Sequence, residues 1–290
     1  MRYEGSLYRP PSEADALIVQ ATIGCSWNRC AFCAMYREKS WRLRPTAEVL
    51  ADLEQAARRV GPAVEKLFVA DGDALGMPLD GWLPLLEAAG RLFPRLRRVS
   101  CYASARNLLG KEPDELRRLR EGGLSLLYLG PESGDDETLR RIGKGATSEE
   151  HARAAGRAHE AGMALSAIVM LGIAGREGSG RHAEATARLV TAMDPEFFAA
   201  LTTTLMPGTP LARDAEQGSF ELPSVEGMLG ELRTIVDLAR PRAATFRSNH
   251  ASNYLTLAGV LPRDRGRIVA AIDAALGGEA PLRPEWMRGL

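Results

Sequence analysis

The feature that most constrains this chain is alternation: short apolar, β-branched runs repeatedly give way to longer segments with helical spacing. Residues 17–21, 66–70, 98–102, 124–129, 164–171 and 197–205 read as six strands. Between them, Thr46 stands as an N-cap before Val49, Leu50, Leu53 and Ala57, and Asp80 opens a helix through Leu83, Leu86 and Leu92. Further helices are expected over 113–119 (closed by Gly122-Gly123), 135–142, 148–161 (ended by Gly162) and 181–192. Strands separated by helices pair in parallel, because a parallel return needs a crossover that a helix covers. The expected class is therefore α/β. Six units over about 190 residues fit a partial (β/α)6 TIM-type barrel, against ~250 residues for a full eight, with a doubly wound open sheet as the alternative.

Beyond Asp214 the pattern weakens into two helices, 224–239 and 264–276, around residues 245–257. The expected organisation is a barrel over 1–213 and a mostly helical C-terminal extension over 214–290, packed on it as a cap. The chain has 290 residues, 37 basic and 37 acidic side chains and no net charge, with 45% apolar residues. That balance predicts a folded chain without a broad nucleic-acid or anionic-lipid surface. Met1 to Gly5 lacks a signal-like apolar stretch, and the apolar run 163–175 is too short to span a bilayer, so a cytoplasmic location is expected.

Three of the four cysteines, Cys25, Cys30 and Cys33, fall within nine residues directly after the first strand. Such crowding fits metal or cluster ligands better than a dispersed disulfide framework. Thiolates are soft ligands for iron, and three of them leave one iron of a 4Fe–4S cluster open for chemistry. Zinc held by three cysteines and a histidine stays open as the alternative. Cys101, alternating with Val99 in a strand, reads as a buried thiol. Trp27 and Trp41 either cover a cluster or pack the loop.

The loop Gly24-Cys25-Ser26-Trp27-Asn28-Arg29-Cys30-Ala31-Phe32-Cys33 resembles that of radical S-adenosylmethionine enzymes, which carry Cys-x3-Cys-x-aromatic-Cys after the first strand of a partial barrel. Here the first spacing is four residues, so the local backbone must differ. Phe32 matches the aromatic position that the resemblance places beside adenine. Asp71-Gly72-Asp73 stands where the family has a turn receiving the methionine amino group. Gly130-Pro131-Glu132-Ser133-Gly134 stands in the place of a polar motif near ribose and methionine, and Lys144, twelve residues beyond Glu132, matches a basic residue that pairs with the methionine carboxylate. Gly172-Ile173-Ala174-Gly175-Arg176-Glu177 looks like the Gly-x-x-Gly-x-Glu turn that supports adenine binding, and Pro207-Gly208-Thr209-Pro210-Leu211 is similar to a motif of the cobalamin-linked and methylthiotransferase branches.

Each smaller motif has a plainer reading: Asp71 to Asp73 as an ordinary turn, Glu132 and Ser133 as a helix cap, Lys144 as a surface lysine, and Gly172 and Gly175 as turn formers. The resemblance implies a 4Fe–4S cluster and S-adenosylmethionine as cofactors, and reductive cleavage that starts a radical reaction. It also implies a flavodoxin- or ferredoxin-type external one-electron reductant. A small molecule is the first expectation for substrate and a peptide the second; an iron–sulfur electron-transfer or scaffold protein is the non-catalytic alternative. A second cluster, a cobalamin domain and the extra cysteine of the porphyrinogen branch (Ala34 here) are not found in the sequence. The polar stretch 247–254 offers Arg247, Asn249, His250 and Asn253 as substrate ligands, or else a solvated loop. His151, His159 and His182 are expected on helix surfaces.

Overall fold

A computed structural model describes residues 1–60 and 63–289. Its strands are β1 (Leu17–Gln20), β2 (Thr22–Ile23), β3 (Arg42–Leu43), β4 (Lys66–Ala70), β5 (Arg98–Ala103), β6 (Leu124–Glu132), β7 (Ala164–Leu171), β8 (Phe197–Thr202), β9 (Ala244–Arg247) and β10 (Ala258–Leu261). The helices are α1 (Thr46–Val60), α2 (Leu79–Leu92), α3 (Ala105–Gly110), α4 (Pro113–Glu121), α5 (Asp136–Arg141), α6 (Ser148–Glu160), α7 (Gly175–Met193), α8 (Pro210–Glu216), α9 (Val225–Leu238) and α10 (Arg265–Leu276).

The chain divides into two compact units. The first comprises Met1–Asn28, Met35–Leu129 and Gly156–Leu165. Its strands run β1–β4–β5–β6, every neighbouring pair parallel, as the alternation predicts. Helix α1 buries Val49, Leu53 and Ala56 on one face, and the core is filled by Phe68, Trp82 and Phe93. Each such side chain contributes on the order of 1.5–3 kcal/mol through burial.

The second unit comprises Arg29–Ala34, Gly130–Ala155 and Ser166–Leu290. Here β7, β8 and β9 run parallel and β10 returns antiparallel on β9. The extension thus adds two four-residue strands to its helices. Helix α7 starts six residues before the expected point: Gly178 and Gly180 lower helix propensity, but Gly175 and Gly178 are buried and close packing wins. Strand β6 likewise runs three residues past its expected end, through Glu132. Among the described residues, no helix is long and apolar enough to cross a membrane.

Candidate cofactor site

In the first unit, β2 and β3 pair antiparallel and tie together the two ends of the segment that carries Cys25. Asp71, the first residue after β4, is wholly buried. Its Oδ2 accepts from Gln20 Nε2 at 3.0 Å, from the Gly24 amide at 3.0 Å and from Lys39 Nζ at 2.9 Å. Asp73 Oδ1 accepts from the Ser26 amide at 2.9 Å, and the Ser26 hydroxyl donates to Oδ2. Burial pushes the Asp73 carboxyl above its usual range, an effect opposed by these Ser26 bonds. Between the two, the Gly72 amide donates to the Gly24 carbonyl at 3.1 Å. A Cβ on Gly72 would lie 2.6 Å from the Tyr36 ring and 3.0 Å from Cys25 Cβ, so only glycine permits this approach. Asp71-Gly72-Asp73 is therefore a clasp around Gly24 to Ser26, more than an ordinary solvated turn.

In the second unit, the Ala31 amide donates to the Ile142 carbonyl at 2.7 Å and the Ala31 carbonyl accepts from the Leu211 amide at 3.0 Å. This seats the Cys30–Cys33 segment beside α5 and α8. Phe32 packs against the cluster of Ala31, Leu139, Ile142, Ile173, Leu211 and Phe220, which brings it together with the Gly172–Gly175 turn. The turn is closed by a bond from the Gly175 amide to the Gly172 carbonyl. Both glycines have positive φ (80° and 75°), which a side chain would strain. At the end of β6, Glu132 also has positive φ (66°), and its Oε1 accepts from Lys144 Nζ at 2.9 Å. A Cβ on Gly130 would stand 2.3 Å from that oxygen, so Gly130 makes room for the carboxylate to fold back. Lys144 is accordingly a partly buried ion-pair partner and not a free surface lysine.

Neither Glu132 nor Ser133 caps the next helix. Asp135 does so, accepting from the Thr138 amide. Ser133 Oγ instead lies 2.7 Å from His182 Nδ1 and accepts from the Asp135 amide. His182 is fully buried, and burial lowers its pKa to about 4. Its Nε2 stands 3.8 Å from Glu231, whose carboxyl burial raises to about 7. Glu231 accepts from the Gly172 amide and the Ser179 hydroxyl, each at 2.6 Å.

The surface placement expected for the histidines is corrected at two positions. His182 and His151 are buried because each occupies the inward stripe of its helix, which charged neighbours in sequence disguised. His159 is half-buried. Cys101 is a buried thiol, as read from its strand register. Spacing carried no signal for Gln20, Lys39, Ser26 or Glu231, since each reaches its partner only through the fold.

In the extension, Asn253 is buried: its Nδ2 donates to the carbonyls of Ala200 and Ser248, and its Oδ1 accepts from Thr202 Oγ1. These bonds fix the segment at the carboxyl end of β8. His250 is partly buried, with Nδ1 2.9 Å from Ser252 Oγ; Arg247 and Asn249 are exposed. The segment is thus an organised loop whose Asn253 is committed to the protein, with Arg247 and Asn249 left facing outward.

Comparison with known proteins follows the same lines. The family model of the radical SAM superfamily matches residues 19–189, more than half of the chain. The chain is 26% identical over 153 residues to 4'-phospho-dehydrooxetanocin synthase of Priestia megaterium, covering 47% of this chain and 20% of that protein. It is 22% identical over 203 residues to the heme chaperone HemW of Bacillus subtilis, covering 68% and 53%. The chain thus spans about a fifth and about half of the lengths of these relatives. Among solved structures it resembles the radical S-adenosylmethionine methyltransferase TsrM of Kitasatospora setae, which has cobalamin and a [4Fe-4S] cluster bound, with a TM-score of 0.55, 19% identity and coverage of 70% and 39%. The likeness shows a shared fold, the α/β partial (β/α)6 barrel type with a C-terminal extension. With its parallel strands, its cysteine loop and its matching family model, this chain belongs to the radical SAM superfamily, whose enzymes use a 4Fe–4S cluster and S-adenosylmethionine.

Proposed function

We propose that Cys25, Cys30 and Cys33 hold a 4Fe–4S cluster that cleaves S-adenosylmethionine reductively and starts a radical reaction on a small-molecule or peptide substrate. The observation that carries this reading is the donor set: three partly exposed cysteine thiols in one short loop, none of them in a disulfide. Such thiols are the ligands that iron–sulfur clusters take. Bound, the cluster and S-adenosylmethionine supply a one-electron cleavage that yields a 5′-deoxyadenosyl radical.

The chain's own residues do the holding. Asp71 and Asp73 fix the start of the loop through Gly24 and Ser26. Gly72 gives the close approach to Cys25. Phe32, with the Gly172 and Gly175 turn, supplies the apolar and backbone surface for adenine. Glu132, Ser133 and Lys144 supply the polar groups for ribose and methionine: the paired carboxylate and ammonium of Glu132 and Lys144 are complementary to the amino and carboxylate ends of an amino acid. Residues 214–290 act as the cap of a barrel over 1–213, excluding water from a reactive radical. Within the cap, Arg247, Asn249 and His250 face substrate while Asn253 holds their loop on β8. An external flavodoxin- or ferredoxin-type protein supplies the electron, in a cytoplasmic setting.

Anaerobic reconstitution tests the reading. Wild-type and Cys101→Ala protein should bind about four irons and absorb near about 400 nm, as thiolate-bound clusters do. Replacing Cys25, Cys30 and Cys33 together with Ala should abolish both. Reduced wild type should then release 5′-deoxyadenosine from S-adenosylmethionine. Full iron loading of the triple variant would refute the ligand assignment.

A further inference from the structure

A chain of buried polar groups in the second unit begins on α9, outside every motif read from the sequence. Glu231 is 2% exposed. Its Oε2 accepts from the Gly172 amide and its Oε1 from Ser179 Oγ. On α7, His182 packs its Nε2 3.8 Å from Glu231 Oε2, a contact longer than a hydrogen bond, while its Nδ1 meets Ser133 Oγ and, at 3.3 Å, Thr186 Oγ1; Thr186 Oγ1 in turn accepts from the Gly134 amide. One end of the chain thus holds the turn after β7 and the other the turn after β6. A buried carboxylate is costly, and leaving the Gly172 amide without an acceptor would cost as well.

We propose that Glu231 is a positioning residue for S-adenosylmethionine: from the C-terminal extension it sets the Gly172–Gly175 turn directly and, across His182, the Ser133 turn. The inference rests on the reading above that these two turns receive the cofactor. It gives the extension a second task beside covering the barrel.

The form that accepts both donors is the carboxylate. Protonation turns one acceptor into a donor that faces either a fixed amide or the Ser179 hydroxyl. With its pKa raised to about 7, Glu231 takes up that proton as pH falls below neutrality. The titratable group facing it is His182 on α7, which stays neutral down to about 4; Asp135, whose charge also acts on His182, is bound to Arg181 and Thr138. On α10, the other helix packed on α9, Asp273 pairs with Arg233 and Arg265 with Asp237, both on the exposed side of α9. Glu221, in the loop before α9, is exposed and pairs with Arg176.

The test uses cluster-loaded, unreduced protein and S-adenosylhomocysteine, which binds without being cleaved. Glu231→Leu, which removes the acceptor, should weaken binding at least ten-fold and speed hydrogen exchange of the 172–175 amides at unchanged iron content. Glu231→Gln, which like the protonated acid puts a donor where the carboxylate has an acceptor, should bind at pH 8 about as weakly as wild type does at pH 6. Wild-type affinity should fall between pH 8 and pH 6, and Glu231→Gln should flatten that profile. Should Glu231→Leu fail to fold, the wild-type and Glu231→Gln profiles decide alone. A lowered melting temperature with unchanged affinity in Glu231→Leu, or a pH profile identical in wild type and Glu231→Gln, overturns the inference. Wild type that does not bind S-adenosylhomocysteine at any pH overturns the functional reading beneath it.

Discussion

Two regions built from the same kind of sequence signal, an acidic turn after a parallel strand, solve the problem of buried charge in opposite ways. After β4 the solution is ionic: Asp71 Oδ2 is buried against Lys39 and also accepts from Gln20 and Gly24, while Asp73 accepts from Ser26. After β6 and β7 the buried chain is held by neutral groups, Ser133 with His182, leading to a carboxyl whose pKa burial has raised. Glu132 there keeps an ion pair with Lys144, whose side chains retain 11% and 15% exposure. The ionic clasp holds a loop. The partly open pair keeps groups that a ligand can reach. An acid at a strand end therefore serves as brace or as ligand according to what else stands within hydrogen-bond reach.

The sharpest way to break the comparison is Asp71→Ala. It takes the carboxylate from the Lys39 ammonium, which keeps the Ser6 carbonyl and the Tyr36 ring, and leaves the Gly24 amide without its acceptor. Removing one partner of a buried pair costs about 3–5 kcal/mol, so chemical denaturation should show a loss of that order and reconstituted protein should hold less iron. Unchanged stability with lost S-adenosylmethionine binding would make Asp71 a ligand and erase the contrast.

Lys144→Met should do the reverse. Its ion pair keeps slightly more solvent access (15% and 11%) than that of Lys39 and Asp71 (11% and 0%), so stability should fall by less than in Asp71→Ala. S-adenosylmethionine affinity should fall about ten-fold, roughly 1.4 kcal/mol, as read by equilibrium dialysis at constant iron content. An unaltered affinity would return Lys144 to the role of a brace for Glu132.

A third test is acid. His182 and His151 are kept neutral by burial, with pKa values of about 4 and about 3 against 6.5 in the unfolded chain. The unfolded state takes up these protons first, so their contribution is complete above pH 6.5 and is lost as pH falls toward 4. Each contributes a slope of about 1.4 kcal/mol per pH unit within that window. Glu231, raised to about 7 in the folded chain, takes up a proton over the same range and offsets one such slope, so denaturation midpoints measured from pH 7 to pH 4.5 should drop with a net slope of one proton, which His151→Leu should remove. A wild-type slope no steeper than that of His151→Leu would show that His151 is protonated in the folded chain.

Much of this was legible before any coordinates. Strand after strand appears where β-branched runs stand, because period-two and period-3.6 patterns are local properties. The cysteine loop and the glycine turns were legible for the same reason: their chemistry lies in adjacent residues. What the pattern missed is short or distant. β9 and β10, four residues each, are too brief to show a period and become strands because β8 offers an edge to pair with. Helix α7 was read late because glycines mark turns more often than helix interiors. The plain readings of Ser133 as a cap and of His182 as a surface group failed together, since each is explained only by the other.

The sequence by itself determined the α/β alternation, the place of the three thiols and the glycines that permit positive φ, all of which are set by neighbours along the chain. Only the tertiary structure decided that Asp71 meets Lys39, that Glu132 meets Lys144, and that Glu231 reaches Gly172 across 59 positions. The reason is energetic. A buried polar group must find a partner wherever packing brings one, and no spacing rule specifies that partner in advance.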